Sequence, residues 1–219
     1  RFFPVMLALI LINYISGLCI EHFDQKPALR RTFLLIALIG SLGMLFYFKY
    51  ANFVLRSANA LLGTAFAEIQ GIGTLPLGIS FYSFAAISYL IDAARGDCEV
   101  EKNFIDCALF LNFFATVTQG PICRAGALLP QFKKEHRFDA ARTVRALRLM
   151  ALGLFKLVAV SDVLGLLVDE VFPNYRSYGG PMLVLAAVFY TFQLYFNFSG
   201  YSEVARAVGL LLGLERPDR

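Results

Sequence analysis

The chain of 219 residues has no tryptophan, only two histidines and four cysteines, and 16% charged residues. Each shortage closes off a reading. Without Trp, anchoring at a membrane interface falls to the ten tyrosines and to Lys and Arg. His22 and His136 both stand in charged stretches, so neither is placed as a general base held against a substrate in a shaped site. Cys19, Cys98, Cys107 and Cys123 show no CxxC or CxxH spacing, which gives no metal site and no disulfide framework. No Ser-His-Asp set, HExxH, phosphate loop or paired-carboxylate arrangement can be read, and no bound cofactor is expected. The net charge of +4 is modest and the bases gather near mid-chain without interleaved aromatics, which argues against a nucleic-acid partner.

What the chain has in abundance is apolar surface: 58% hydrophobic residues and a mean hydropathy of +0.63. A soluble domain carries about a quarter charged residues, so this is an integral membrane protein. The expected fold is an all-α, polytopic transmembrane helical bundle, with residues 1–219 as a single domain. Phe2 to Ile20 and Thr32 to Phe48 carry no charge over the length a helix needs to cross the hydrocarbon core. Phe53 to Gln70, bracketed by Arg56 and Glu68, reads as interfacial or as a further crossing. Leu75 to Ile91 is a third span and Phe104 to Ile122 the next apolar segment. Leu149 to Val168 and Pro181 to Phe198 are two more spans, followed by a short apolar run to Leu214.

Side-chain hydrogen-bonding groups in these segments cost free energy in hydrocarbon unless they find partners. Gly78, Tyr82, Ala85, Tyr89 and Asp92 share one helical face that suits either close packing or a cavity wall. In the next segment Asn112, Thr116 and Gln119 fall at i, i+4 and i+7, before Gly120-Pro121 ends the helix. Lys156 and Asp162 lie inside an apolar stretch and on different helix faces, so each requires a partner elsewhere or water. Gln193, Asn197, Ser199 and Tyr201 close the series. Interhelical hydrogen bonding is the plain explanation for each of these residues taken singly.

From Arg124 to Arg148 seven bases face two acids, and the positive-inside bias puts this loop in the cytoplasm. Counting sides then produces a conflict. If Glu21 to Arg31 is also cytoplasmic, three crossings would carry the basic loop outside. Either Phe53 to Gln70 crosses, or Phe104 to Ile122 enters and turns back. Re-entry at Asn112 to Pro121 is the preferred expectation, because irregular backbone is tolerated at depth when it is buried in protein or lines water.

Five stretches in register resemble the membrane-bound O-acyltransferase family, in its bacterial alginate O-acetylase branch. They are Tyr47 to Phe53, Leu75 to Phe84, Ser88 to Asp97, Gly120 to Arg124 and Gln193 to Ser202. The sequence departs from that pattern at Asn197 and Glu203, where the branch has Asp, at Ala94, where it has Tyr, and at Leu157, where it has a second Lys. The resemblance implies an O-acyltransferase of the bacterial inner membrane. It would take an acyl group, an acetyl in the first instance, from a cytoplasmic thioester such as acetyl-CoA or an acyl carrier. The group would pass to a hydroxyl of an extracytoplasmic polysaccharide such as alginate, with a periplasmic acyltransferase as a further partner.

The family's catalytic His follows a Trp-rich stretch downstream of the FSGYS motif, and no position here matches it. The chain therefore reads as the amino-terminal to middle part of a longer enzyme, expected to be inactive alone, with no catalytic residue assigned. The substrate-passage candidates are Tyr82, Tyr89, Asp92, Asn112, Thr116, Gln119, Arg124, Lys156, Asp162, Gln193, Asn197, Ser199 and Tyr201. Teichoic-acid D-alanylation within the same family, a transporter or channel, and a scaffold for a periplasmic partner are the alternative readings.

Overall fold

A backbone in hydrocarbon must satisfy its own N–H and C=O groups, so long uncharged runs become helices. A computed structural model of the chain describes residues 3–65, 67–69, 76, 78–115, 117 and 123–214, and no strand occurs among them. The helices are α1 (Phe3–His22), α2 (Pro27–Leu62), α3 (Ile79–Arg95), α4 (Phe104–Leu111), α5 (Ala125–Phe132), α6 (Ala140–Leu154), α7 (Asp162–Val171) and α8 (Gly180–Leu211). A π-helical turn, Phe155–Ser161, joins α6 to α7, so Ala140–Val171 is continuous. Four helices are long and apolar enough to cross a membrane: α1, α2, Ala140–Val171 and α8. The described residues divide into two compact units at Lys134–Glu135.

The second expected span does not stop near Phe48. Pro27 starts α2 at a position where its missing N–H costs nothing, and Lys49 to Leu62 holds neither Pro nor Gly to end it. At 36 residues α2 rises roughly 54 Å, well beyond a hydrocarbon core of about 30 Å. Phe53 to Leu62 is therefore the continuation of α2, and not a separate segment. The residues after it fold back along its last turns. Asn52 exchanges two hydrogen bonds with the Ile69 backbone, at 3.0 and 3.3 Å, and Arg56 grips the Glu68 carboxylate through two at 2.8 Å.

In the first unit α3 packs against α1 and α2. Asn13 of α1, fully buried, donates to Ser41 of α2 at 3.1 Å and to its own Leu9 carbonyl at 2.8 Å. An interhelical bond of this kind contributes about 0.6 to 2 kcal/mol in a bilayer. One end of the unit is knitted by charges. Arg30 pairs with Asp24 at 2.7 Å and also donates to the Ala94 carbonyl, where the C-terminus of α3 needs a donor. Lys102 pairs with Glu21 at 3.1 Å, and Lys133 with Glu101 at 2.7 Å.

That charged end bears on the side count. α4 has eight residues and rises about 12 Å, too little to cross. Asn103 caps its start at the charged end, Val117 lies against Gly78 at the far end of α3, and Arg124 is back against Asp92. Asn103 and Arg124 thus stand toward one end of α3 and Val117 toward the other. α4 ends at Leu111 with Asn112 as its cap. Thr116 and Gln119 lie outside the described residues.

Gly78 shows why this loop fits. Its φ of 72° is in the left-handed region, and a Cβ there would sit 2.2 Å from the Val117 carbonyl oxygen. Only glycine meets both conditions.

In the second unit α8 lies along the Ala140–Val171 helix. The expected spans Leu149 to Val168 and Pro181 to Phe198 are inner portions of these two 32-residue helices. Gly200 does not end a helix, since α8 runs through it to Leu211. Its role is close approach: a Cβ on Gly200 would meet the Leu157 side chain at 2.7 Å and the Gly153 carbonyl at 2.9 Å.

Candidate functional site

The passage candidates that the structure describes fall into two clusters, one in each unit. The first is centred on Asp92, in the last turn of α3 and 8% exposed. One guanidinium nitrogen of Arg124 donates to both Asp92 carboxylate oxygens, at 2.9 and 3.1 Å, and to Ser88 Oγ at 2.9 Å. Asp92 and Arg124, 32 positions apart, are thus partners. Arg124 itself is largely exposed and precedes α5.

Tyr89 stands one turn deeper, wholly buried beneath α1, where its ring edge faces Gly17. Its phenol oxygen accepts from the Glu101 N–H at 2.9 Å. The Glu101 carboxylate in turn accepts from the Asn103 N–H at 3.0 Å and pairs with Lys133. Burial pushes the Glu101 carboxyl upward, but the Lys133 ammonium and the Asn103 and Lys102 N–H groups outweigh it and hold it below the usual carboxylate range. Cys98 nearby is pushed up to about 11 by burial, with Asp92 and Asp97 adding to the shift, which leaves an unreactive thiol.

Tyr82 is buried at the inner end of the same helix face, and its hydroxyl has no hydrogen-bond partner among the described residues. It borders a cavity of about 10 Å³ with Phe81, Phe110, Val117, Cys123 and Leu128. A space of that size is at the lower limit for a single water. The α3 face expected either to pack or to line a cavity therefore packs. Asn112 donates back to the Ala108 carbonyl at 3.1 Å, and its side-chain oxygen is buried without a partner among the described residues.

The second cluster is built on the Gly153–Gly200 crossing. Because the two helix backbones touch there, Lys156 on the π turn reaches α8, donating to Ser199 Oγ at 3.0 Å and pairing with Glu203. Both members of the pair are more than four-fifths buried. Further along, Ser161 donates to the Gln193 carbonyl at 3.2 Å, and Gly165 leaves room for the Gln193 amide, whose nitrogen lies 2.8 Å from where a Cβ would stand. Gln193 Oε1 and Glu203 Oε2 are buried without hydrogen-bond partners among the described residues. Asn197 is half-buried, while Tyr201 and Asp162 are exposed. Asp162 does not join Lys156.

Glu203 was missed as a site residue in the sequence reading, although Lys156 was seen to need a partner. The signal was the i, i+4 spacing of Ser199 and Glu203, which lie beyond the expected span end at Phe198. Ser88 and Glu101 were also not singled out. Among the described residues no group of three or more His, Cys, Asp or Glu side chains could hold a metal ion.

No protein-family model matches the chain. It is similar to the probable alginate O-acetylase of Pseudomonas syringae pv. tomato, with 37% identity over 215 residues, 97% of this chain and 41% of that protein. The probable alginate O-acetylase of Pseudomonas putida is 38% identical over 216 residues, 97% of this chain and 44% of that one. The peptidoglycan O-acetyltransferase of Helicobacter pylori is 30% identical over 243 residues, 99% of this chain and 46% of its own. The chain spans less than half the length of these curated relatives.

Proposed function

Because this chain belongs to the membrane-bound O-acyltransferase family, we propose that it is the membrane-embedded part of an enzyme that O-acetylates an exopolysaccharide, alginate first among the candidates. The observation that carries this reading is similarity to probable alginate O-acetylases along 97% of the chain. The donor would be a cytoplasmic thioester, acetyl-CoA or an acyl carrier, and the acceptor a polymer hydroxyl beyond a bacterial inner membrane.

No residue of this chain is assigned to the bond-making step. The reaction itself is the attack of a hydroxyl, or of an intermediate nucleophile, on the thioester carbonyl, with the thiol leaving. The residues in hand would serve transfer by position. Lys156, Ser199 and Glu203 form a polar seam at membrane depth, and Asn112 and Tyr82 offer unpartnered polar atoms in the first unit. This seam belongs in a protein that conducts polar groups past an apolar interior.

Deletion of the full-length gene tests the proposal. Loss of O-acetyl groups from the purified exopolysaccharide, read by proton NMR and restored by the wild-type gene, is the expected result. Unchanged acetylation would overturn it. Solute flux through liposomes carrying the protein without an acyl donor would favour a transporter.

A further inference from the structure

The second unit has a basic end. Between Asp139 and Asp162 there is no acidic residue, while Arg142, Arg145 and Arg148 recur every third position on the first turns of α6. The packed side of α6 is marked by Ala146 and Gly153, both buried. At 100° per residue, Arg145 and Arg148 point well away from Ala146, and both are exposed. α8 runs antiparallel to α6 across the Gly153–Gly200 contact, so its Arg206, also exposed, lies at this same end.

The loop before the helix is fixed there too. Arg142 donates to the Arg137 carbonyl at 2.7 Å, and Phe138 between them is 83% exposed. In the loop before α6, Asp139 caps the Ala141 N–H at 2.9 Å.

Depth then decides what such a face meets. Ala140–Val171 rises roughly 48 Å, against about 30 Å of hydrocarbon and 40 to 45 Å including headgroups. With Leu149 to Val168 filling the hydrocarbon, Arg148 stands about 1.5 Å and Arg145 about 6 Å outside its edge, within the headgroup layer. Exposed arginines at that depth match an anionic interface in charge.

We propose that Arg145, Arg148 and Arg206 form a binding surface for anionic phospholipid headgroups on the leaflet that holds the start of α6. The guanidinium groups hold headgroup phosphates. The surface does not depend on the acyl-transfer reading.

The test uses the full-length protein in nanodiscs of phosphatidylglycerol mixed with phosphatidylcholine, with retained lipid read by native mass spectrometry. Wild type retains phosphatidylglycerol preferentially, and the preference falls as salt rises. Because each such arginine contributes about fivefold, Arg145→Gln with Arg148→Gln lowers the preference by about 30-fold, and Arg145→Lys with Arg148→Lys keeps most of it. No preference in wild type, or an equal preference in the Gln variant, overturns the proposal. So does an unchanged lipid preference with a raised KM for the acyl donor, which would assign the face to the donor. Should the Gln variant not fold, the salt series on wild type and the Lys variant decide the matter alone.

Discussion

Lys156 and Glu203, 47 positions apart in sequence, form an ion pair at membrane depth, and the two helix backbones touch at Gly153 and Gly200 within a turn of it. Removing one partner leaves the other as an uncompensated charge, the situation that makes a broken buried pair costly. Lys156→Met is expected to destabilise the full-length protein by about 3 kcal/mol. Lys156→Met with Glu203→Leu should recover most of that loss, because both charges are then gone. Folded fraction after heating in detergent, read by size-exclusion chromatography, checks both; equal losses in the single and double variants would refute the pairing.

The crossing itself makes a second prediction. A Cβ at Gly200 meets Leu157 and the Gly153 carbonyl below 3.0 Å, whereas one at Gly43 of α2 meets nothing within 4 Å. Gly200→Ala should cost about 1 to 3 kcal/mol through overpacking, and Gly43→Ala should be neutral or stabilising by up to about 1 kcal/mol. The same heating assay separates them.

Acid sensitivity of the first unit follows from Glu101. Its folded carboxyl lies below the ordinary value of 4.5, so the stability it contributes is fully present above about pH 4.5 and is lost as pH falls through the lowered folded value. Glu101→Gln should flatten this part of the stability profile below about pH 4.5. An unchanged profile would show that the Glu101–Lys133 pair contributes nothing there.

Asn112 yields a test of access. Asn112→Leu removes its side-chain hydrogen bond to the Ala108 carbonyl and a buried, unpartnered oxygen, outside the four helices long enough to span. Acyl transfer by the full-length enzyme is expected to fall several-fold while membrane insertion, read by carbonate extraction, stays intact. Wild-type activity would take this residue out of the mechanism.

The helices were legible because uncharged runs in hydrocarbon have one backbone solution. Their ends were not, and the reason is specific. Phe48 and Phe198 were read as span ends, since Lys49 marks an interface and polar residues gather after Phe198. In the structure α2 runs on to Leu62 and α8 to Leu211, and Gly200 is a contact point. Asp92, Arg124 and Lys156 stood out by charge in apolar surroundings, but their partners depended on which helices meet, and periodicity within one segment carries no such information. The apolar run from Phe104 gave no sign that α4 would stop at Leu111 with Asn112 as its cap.

The Asp92–Arg124 and Glu101–Lys133 pairs join α3 and the start of α4 to the two ends of α5, so that two ion pairs close the charged end of the first unit like a latch. A variant that loses either pair should keep its apolar helices and open α4 and α5 to protease at that end.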